Sequence, residues 1–402
     1  MINVTQAVIL AGGEGKRLRP FTLNNPKPLV PINGKPFLKH LIMLLKENDI
    51  REVVILTGYL GERVEKYFKN GSELGIKIKY SHTSFLNKKG QENKSGLRIK
   101  NAEELLDNFF LLLYCDNYWP LDLKKLVDFY DKHPSDVLTT IYSNKDNSTK
   151  NNIFVDQDGY VIKYDKERKE QNLNGVDIGF FIVNKKVLNL LPSYNSIFET
   201  VVLSNLIKQK RLSGFVTDQK YYSISDMKRV RITEKFLTPK KIVFLDRDGV
   251  INKRPQKTDY VKKWKEFKFL PGVIQAITLL NDKGYKIFII SNQPGIARGV
   301  VSEKNLSLIH RNMKMQLNKH GAKIDGIYVC PHGWDEGCDC RKPKPGMLLQ
   351  ASREHFIDLT KSIFIGDDER DKQAGDTVGC KTILISEENS FLKIAKEIVH
   401  NK

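Results

Sequence analysis

Asp246 and Asp248, two aspartates separated by a single residue, are the side chains in this sequence best arranged for chemistry. They follow the apolar run 242–245, whose β-branched and aromatic residues indicate a short buried parallel strand. Gly249 allows the chain to turn sharply directly after them. Ligands of open α/β sheets bind at the carboxyl ends of strands, so both acids are placed to bind Mg²⁺ and meet a phosphate group. A turn rich in Asp that caps a helix is the alternative interpretation.

Three more predicted strands of the second half also end ahead of polar residues. They are 286–290 before Ser291, 327–329 ahead of Arg341 and Lys342, and 363–365 before Asp367. Because the carboxyl ends of parallel strands lie at one edge of a sheet, we expect a hydroxyl, two cations and a third acid to join the aspartate pair.

This set of groups fits phosphoryl transfer. Asp246 would attack phosphorus, and Asp248 would protonate the leaving oxygen and later activate water. Ser291 would donate its hydroxyl to the phosphoryl group, while Lys342 neutralises charge and Arg341 binds substrate phosphate or carboxylate. Ordinary solvated surface is the alternative for the two cations.

Four potential metal ligands lie within residues 330–340, arranged as C-x-H followed by C-x-C. Thiolate and imidazole ligands in this number suit a tetrahedral, structural Zn²⁺ site, and the predicted ligands are Cys330, His332, Cys338 and Cys340. Unrelated buried cysteines are the alternative. Cys115 and Cys380 fall outside the cluster and are expected in the core.

The first half opens with a predicted strand, 7–10, that leads into a loop containing Gly12, Gly13 and Gly15. Such a loop can bring backbone N–H groups against phosphates. The spacing fits neither a Walker A loop nor the dinucleotide-binding fingerprint. Lys27 lies between two prolines that restrict its backbone.

Regular α/β alternation follows, with predicted strands at 53–57, 76–80 and 109–114, and Asp116 lies two residues after the end of the last strand. A helix over 228–236 is expected to stop before Pro239. We therefore expect two α/β domains, 1–232 and 240–402, each a Rossmann-like arrangement of three layers.

The stretches LAGGEGKRLRPFT and NPKPLVPINGKPFL resemble the sugar-1-phosphate nucleotidyltransferase family, whose fold is GT-A-like. The resemblance extends more loosely to about residue 230. It implies that the three loop glycines hold a nucleoside triphosphate, that Arg17 and Lys27 stabilise charge at the α-phosphate, and that Asp116 binds Mg²⁺. It also implies base recognition by Ser95 and Gly96, and makes Asp177 and Gly179 candidates for sugar binding.

One position departs from that family. Its second metal-binding aspartate is matched here by Ser223, and the glycine two residues later by Ser225. A neutral hydroxyl is a poorer Mg²⁺ ligand than a carboxylate. Three interpretations stay open: Asp226 compensates, metal binding and turnover are weakened, or this half binds sugar nucleotides without making them.

The second half resembles the haloacid dehalogenase-type phosphatases through FLDRDGVIN, SNQPGIARG, CPHGWDEGCDCRKPKPGML and IGDDERD. Among them it resembles the D-glycero-D-manno-heptose 1,7-bisphosphate phosphatases. The resemblance implies Mg²⁺ held at Asp246, Asp248 and Asp367, with a backbone carbonyl among the ligands. Asp368 stands where the heptose enzymes often carry a basic residue.

Composition limits the remaining classes. The 402 residues carry a formal charge of +19, yet the basic residues form no long block or RNA-binding aromatic motif, so we expect phosphorylated small molecules and no nucleic acid. The start lacks a signal peptide and no apolar run is long enough for a membrane span, which predicts a cytoplasmic protein without membrane partners. The oligomeric state is left open.

Together these expectations describe a bifunctional enzyme of sugar-nucleotide synthesis. The second half would release the C7 phosphate of heptose 1,7-bisphosphate, and the first would couple heptose 1-phosphate to a nucleoside triphosphate. By resemblance to the α-anomer pathway that triphosphate is GTP. The alternatives are a phosphatase whose first half only binds sugar nucleotides, and a polynucleotide or histidinol phosphatase.

Overall fold

The computed structural model describes residues 2–256 and 259–400. The chain forms two compact units, Met1–Leu237 and Thr238–Lys402. Among the described residues, no helix has both the length and the apolar character needed to cross a membrane.

The first unit is built on a seven-stranded sheet in the order β12-β8-β11-β6-β1-β4-β5. All neighbouring strands of this sheet are parallel except β11, which is antiparallel to both β6 and β8. The strands of the unit are β1 Gln6–Ala11, β2 Pro31–Ile32, β3 Lys35–Pro36, β4 Glu52–Thr57, β5 Lys77–His82, β6 Phe109–Tyr114, β7 Asn117–Tyr118, β8 Val137–Tyr142, β9 Ile153–Val155, β10 Val161–Tyr164, β11 Val176–Asn184, β12 Leu212–Thr217 and β13 Tyr222–Ser223.

Seven α-helices accompany these strands in the described part of the unit, with a π-helical turn at Glu199–Leu203. Strand β1 is buried along its whole length, because helices cover both faces of a largely parallel sheet. On one face Val8, Leu10, Val54 and Leu56 join a core cluster. The helices are α1 Phe21–Asn24, α2 Phe37–Glu47, α3 Gly61–Phe68, α4 Ser95–Asn101, α5 Leu123–Lys132, α6 Ser204–Lys208 and α7 Met227–Leu237.

The second unit has a five-stranded, fully parallel sheet in the order β16-β15-β14-β17-β18. Its strands are β14 Lys241–Leu245, β15 Tyr285–Asn292, β16 Gly326–Cys330, β17 Ile363–Gly366 and β18 Lys381–Leu384. Its helices are α8 Val273–Asp282, α9 Glu303–Lys319, α10 Gly346–His355, α11 Glu369–Thr377 and α12 Phe391–His400.

Strand β14 shows how helices come to lie on both faces of this sheet. Val243 and Leu245 pack in one core cluster, which also includes side chains of α8, α9 and α12. Ile242 and Phe244 pack in another, together with side chains of α10 and α11. Alternate residues of a strand point to opposite faces, so this single short run supports two cores. The three-layer α/β fold expected from the sequence is confirmed for both units.

Candidate active sites

In the second unit, the central strand β14 delivers Asp246 to the carboxyl edge of the sheet. The Asp246 backbone N–H donates to the Ile365 carbonyl at 2.9 Å, and its side chain is buried. Lys342, 4 % exposed, donates from Nζ to Asp246 Oδ1 at 2.8 Å and to the Ile290 carbonyl at 2.9 Å. The same ammonium lies 2.6 Å from Asp371 Oδ1. The ends of several strands thus meet around one buried Lys–Asp pair.

Burial and charge act on this pair in opposite directions. Burial raises the pKa of Asp246 to about 7, and the neighbouring Asp371 and Asp248 carboxylates also raise it. The Lys342 ammonium acts in the opposite direction and lowers this pKa. Burial acts to lower the pKa of Lys342, but the two aspartates hold it above its ordinary value. Lys342 therefore stays protonated, and any further cation at Asp246 stabilises the nucleophilic carboxylate form.

Three carboxylates could hold a divalent cation here, because oxygens of Asp246, Asp367 and Asp371 all lie within 4.8 Å of one another. Oxygen-only ligands of this kind suit Mg²⁺. Gly249 permits the arrangement, since a Cβ at that position would lie 1.8 Å from Asp367 Oδ2. Burial raises the pKa of Asp367 to about 6, which again favours a bound cation.

Asp371 was not among the predicted site residues. It lies in the first turn of α11, four positions after Asp367, where its Oδ2 accepts the N–H groups of Asp367 at 3.1 Å and Asp368 at 3.2 Å. The sequence feature that could have identified Asp371 is an acidic residue in the first turn of a helix. Such a side chain accepts hydrogen bonds from the backbone just before the helix.

The Asp248 carboxylate lies outside the group of three converging carboxylates and is held by its own hydrogen-bond donors. It accepts from Arg247 Nη2 at 3.0 and 2.8 Å, from Asn252 Nδ2 at 2.9 Å and from Gln293 Nε2 at 2.7 Å. Burial acts to raise the pKa of Asp248, yet Arg247 and the two amides hold it below its ordinary value. Three side chains thus donate four hydrogen bonds to this carboxylate, and the place of Asp248 at a Mg²⁺ site that includes a backbone carbonyl stays a prediction.

Ser291 lies at the end of β15 and is 1 % exposed. Its Oγ accepts from Gln293 Nε2 at 2.9 Å. The adjacent Asn292 exchanges two hydrogen bonds of 3.0 Å with the backbone of Lys342 and so fixes the segment that carries the lysine. The sequence prediction included Ser291 but missed these two amides in the same SNQ motif.

A cavity of about 600 Å³ opens above these groups. Beyond the acids and Lys342, its wall includes Arg254, Arg341 and Arg370. Arg254 donates to Asp367 and to Asp368 at 3.0 Å each, and Arg370 donates to Asp368 at 2.8 and 2.9 Å. The negative charge of Asp368 is therefore balanced, because Arg254 and Arg370 both donate hydrogen bonds to it.

The predicted zinc ligands come together in space. Cys330 Sγ lies 3.6 Å from Cys338 Sγ, Cys338 lies 3.6 Å from Cys340, and His332 Nδ1 lies 3.2 Å from Cys340 Sγ. All four donor atoms are within 4.8 Å of one another. A tetrahedral site with Zn–S bonds of about 2.3 Å requires S···S edges of about 3.8 Å, so the set fits Zn²⁺.

The cysteine and histidine loop also orders one wall of the cavity. Arg341 Nη1 donates to the His332 carbonyl at 3.3 Å. Trp334, 63 % exposed, has the guanidinium carbons of Arg298 and Arg341 at 5.2 and 5.7 Å from its ring centroid. The loop thus fixes the Arg341 side chain through His332 and Trp334.

In the first unit, the glycine-rich loop begins where β1 ends. A Cβ at Gly13 would meet open space, whereas Gly15 has φ 68° and lies against Lys27, with 3.3 Å from a Cβ at Gly15 to Lys27 Cβ. Lys27 Nζ forms an ion pair with Asp116. The structure thus brings Gly15, Lys27 and Asp116 together, while Arg17 is exposed on the short 3₁₀ helix that follows the loop.

Ser223 lies next to Asp116 because β13 pairs with β7, placing Ser223 opposite Asn117. Ser223 is 5 % exposed, and Arg229 Nη1 lies 3.4 Å from its Oγ. The Asp226 carboxylate accepts from the Arg229 N–H at 2.9 Å and from Ser225 Oγ at 3.0 Å at the start of α7. The Arg229 guanidinium therefore lies beside Ser223, the position matched to the second metal-binding aspartate. Asp226 caps the N-terminus of α7.

The other predicted residues of this unit are tied into its interior. Ser95 Oγ donates to Glu199 Oε2 at 3.1 Å, and Gly96 N–H donates to the Ser196 carbonyl at 2.9 Å. Asp177 accepts from the Gly179 N–H at 2.9 Å, and burial raises its pKa to about 6. These contacts place Ser95 and Gly96 against the segment 196–199, and Asp177 in a buried polar cluster.

Comparisons with known proteins agree with this geometry. A family model described as nucleotidyl transferase matches residues 6–223, and one described as polynucleotide kinase 3 phosphatase matches residues 241–383. The D-glycero-beta-D-manno-heptose-1,7-bisphosphate 7-phosphatase of Bordetella bronchiseptica is 40% identical over 157 residues, which cover 39% of this chain and 86% of the relative. The D-glycero-alpha-D-manno-heptose-1,7-bisphosphate 7-phosphatase of Campylobacter jejuni is 45% identical over 149 residues, 37% of this chain and 84% of the relative.

Among solved structures, HddC from Yersinia pseudotuberculosis matches with a TM-score of 0.50 at 22% identity. The match covers 58% of this chain and 100% of HddC, and it shows the shared fold of the first unit.

The fold and site of the second unit define a haloacid dehalogenase-type phosphatase domain, and the first unit is a nucleotidyltransferase domain with a Rossmann-like sheet. The chain belongs to the nucleotidyl transferase family, and its second unit belongs to the family of D-glycero-D-manno-heptose-1,7-bisphosphate 7-phosphatases.

Proposed function

We propose that this chain carries out two consecutive steps of sugar-nucleotide synthesis. The second unit removes the C7 phosphate of D-glycero-D-manno-heptose 1,7-bisphosphate, and the first unit, residues 1–232 in our boundary, transfers a nucleotidyl group to the resulting heptose 1-phosphate. The observation that carries the proposal is the buried Asp246–Lys342 pair, at 2.8 Å, in a domain 40% and 45% identical to heptose bisphosphatases.

In the phosphatase step, an Asp246 carboxylate oxygen attacks phosphorus and the bond from phosphorus to the sugar oxygen breaks. Asp248 enters this step protonated, gives its proton to that leaving oxygen and becomes a carboxylate. The Asp248 carboxylate then takes a proton from water, whose oxygen attacks the aspartyl-phosphate and releases inorganic phosphate and Asp246. Arg247 favours the ionised form of Asp248 that this second half of the reaction requires.

Mg²⁺ held by Asp246, Asp367 and Asp371 would neutralise charge that otherwise repels the nucleophile from the phosphate. Lys342 supplies a fixed positive charge at the same point, and Ser291 together with Gln293 and Asn292 orders the adjoining loop. Cys330, His332, Cys338 and Cys340 would hold a structural Zn²⁺, because four protein ligands would leave no position for a substrate.

In the transferase step, a phosphate oxygen of heptose 1-phosphate attacks the α-phosphorus of a nucleoside triphosphate, and pyrophosphate leaves. Gly12, Gly13 and Gly15 would approach the triphosphate, while Lys27 and Arg17 balance its charge. Asp116 would bind Mg²⁺, with Lys27 as its neighbour. GTP is our proposed triphosphate, and Ser95 and Gly96 would lie toward its base.

Relatives named for either anomer match the second unit, and the α-anomer is our first choice because GTP is our proposed nucleotide. The wall of the 600 Å³ cavity includes three arginines, which suits a substrate that keeps a second phosphate. We place both reactions in the cytoplasm, where a reducing environment preserves the free thiols of the zinc ligands.

The test is phosphorus NMR of the purified chain with Mg²⁺, GTP and the α-anomer of heptose 1,7-bisphosphate, repeated with the β-anomer. We expect inorganic phosphate first and then a pyrophosphate-diester signal. Phosphate release that ends at heptose 1-phosphate with every nucleoside triphosphate would reject the transferase step and favour the phosphatase alone. Absence of phosphate release from both anomers would reject the first step.

A further inference from the structure

An arginine beneath the glycine-rich loop has no role in the reactions described above. Arg98, in helix α4, is 4 % exposed. Its Nη1 donates to the Thr57 carbonyl at 2.8 Å and to the Thr83 carbonyl at 2.9 Å. These carbonyls lie at the end of β4 and just after β5, so the guanidinium joins the carboxyl ends of two parallel strands at the edge where ligands bind.

Both neighbouring loops are shaped around this side chain. A Cβ at Gly12 would lie 2.4 Å from Arg98 Cζ, and a Cβ at Gly58 would lie 2.3 Å from Nη1. Gly12 follows β1 and Gly58 follows β4, so the guanidinium sits between the ends of adjacent strands. Gly13, the next residue of the loop, faces open space. The loop therefore has an open face for a ligand and a cation on its inner side.

The charge of Arg98 is poorly compensated. Its Nη2 is buried without a hydrogen-bond partner among the described residues, and its two hydrogen bonds go to neutral carbonyls. The acidic group that acts on it is Glu92, which is itself paired with Lys94 at 2.7 Å. A buried guanidinium without a carboxylate partner is costly, and an anion bound nearby reduces that cost.

We propose that Arg98 is a positioning residue for nucleotide binding: its buried charge attracts the phosphates of a nucleotide held on the open face of the Gly12–Gly15 loop. It acts through the loop and does not touch the ligand. The proposal rests on the proposed transferase function. It adds that the Arg98 charge contributes to the affinity of the loop for phosphates. The loop glycine at position 12 is then needed to seat Arg98 as well as to approach a phosphate.

The test compares two variants that both keep a donor for the strand carbonyls, Arg98→Gln without the charge and Arg98→Lys with it. Arg51→Met is the control: it removes one exposed positive charge just before the opposite end of β4. Calorimetry would give the dissociation constants of GTP, GDP, GMP and guanosine, and thermal unfolding would show that each variant is folded.

If the Arg98 charge acts through the loop, removing it weakens binding more for a ligand that carries more negative charge. We expect Arg98→Gln to weaken GTP binding about tenfold or more and guanosine binding less than about twofold. Arg98→Lys should keep most of the preference for GTP over guanosine, and Arg51→Met should change neither constant.

Equal losses for guanosine and GTP in Arg98→Gln would overturn the proposal, because they indicate a scaffold or a base contact. Wild-type affinity for GTP in Arg98→Gln would also overturn it. If the wild-type chain binds no nucleotide, the proposed transferase function fails together with this inference, whereas the other two outcomes leave that function intact.

Discussion

Arg247 Nη2 donates hydrogen bonds to both carboxylate oxygens of the adjacent Asp248, at 3.0 and 2.8 Å. Arg247 is fully buried, and its Nη1 lies 3.2 Å from His310 Nε2. Burial lowers the pKa of His310 to about 3, so the imidazole is neutral and able to accept from the guanidinium. The residue between the two aspartates of the motif thus controls the protonation of one of them.

Arg247→Gln should shift the pH dependence of phosphatase activity. Without the guanidinium, burial raises the pKa of Asp248, so the carboxylate that takes a proton from water forms only at higher pH. We expect the acidic limb of aspartyl-phosphate hydrolysis, followed in a single turnover, to move up by about one pH unit or more. The control Arg311→Gln changes an exposed position on α9, and an unmoved limb in Arg247→Gln would contradict the assignment.

The same pair affects stability with a defined sign. The folded-state pKa of Asp248 is depressed, so its contribution to stability is present above the unfolded value of about 4 and is lost as pH falls through the folded value. The difference in free energy of unfolding between the wild type and Arg247→Gln should therefore be larger at pH 7 than at pH 3. Urea unfolding at both pH values would measure it.

Asp246→Asn should abolish phosphate release while leaving pyrophosphate formation intact. The asparagine cannot form the aspartyl-phosphate, and Lys342 keeps its second partner Asp371 at 2.6 Å, so the domain should still fold. Phosphate release from heptose 1,7-bisphosphate should fall about 10³-fold or more. Pyrophosphate release from GTP and heptose 1-phosphate should stay within about twofold of wild type. A parallel loss of both activities would refute the division of labour between units.

Cys340→Ser should remove zinc from the chain. Cys340 lies 3.2 Å from His332 Nδ1 and 3.6 Å from Cys338 Sγ, so its loss leaves three of four ligands. We expect elemental analysis to fall from about one Zn²⁺ per chain toward zero, with lower phosphatase activity because Arg341 is bonded to the same loop. Cys380→Ser, a buried cysteine outside the cluster, should keep its zinc. Zinc retained in Cys340→Ser would argue against the four-ligand site.

Lys27→Met should reduce nucleotidyl transfer without affecting phosphate release. Lys27 pairs with Asp116 at the mouth of the glycine-rich loop, where its side chain is 12% exposed. Removing one cation from a phosphoryl-transfer site costs about 10²–10³ in kcat. Lys16→Met, whose side chain is 75% exposed, is the matched control and should lose far less. Similar losses in both variants would indicate that general positive charge, and not Lys27, is responsible.

Ser223→Asp tests whether the missing acid limits the transferase. The Ile224 N–H donates to the Asp116 carbonyl at 3.0 Å, so residue 223 lies beside the residue we assign to Mg²⁺. We expect the Mg²⁺ concentration for half-maximal pyrophosphate formation to fall severalfold, because a carboxylate replaces a hydroxyl. An unchanged Mg²⁺ requirement would show that residue 223 does not limit metal binding in this chain.

Much of the second unit followed from local sequence. Runs such as 242–245 and 286–290 were predicted as strands and are observed as Lys241–Leu245 and Tyr285–Asn292, since short β-branched runs bounded by polar residues have few other stable conformations. The gathering of Asp246, Lys342 and Asp367 also followed, because parallel strands end at one edge of a sheet. The C-x-H and C-x-C spacing likewise identified four donor atoms that lie together.

The sequence alone therefore predicted which strands end next to reactive side chains and which chemical groups those side chains carry. Both can be predicted from residue types and their spacing along the chain. The tertiary structure decided which of those groups face one another. Asp371 joining the carboxylates, Asp248 turning toward Arg247, and Arg98 lying beneath Gly12 all depend on side-chain directions and on contacts between segments distant in sequence. Those contacts are fixed only when the helices and strands pack, because burial and hydrogen-bond satisfaction then select one arrangement among many locally equivalent ones.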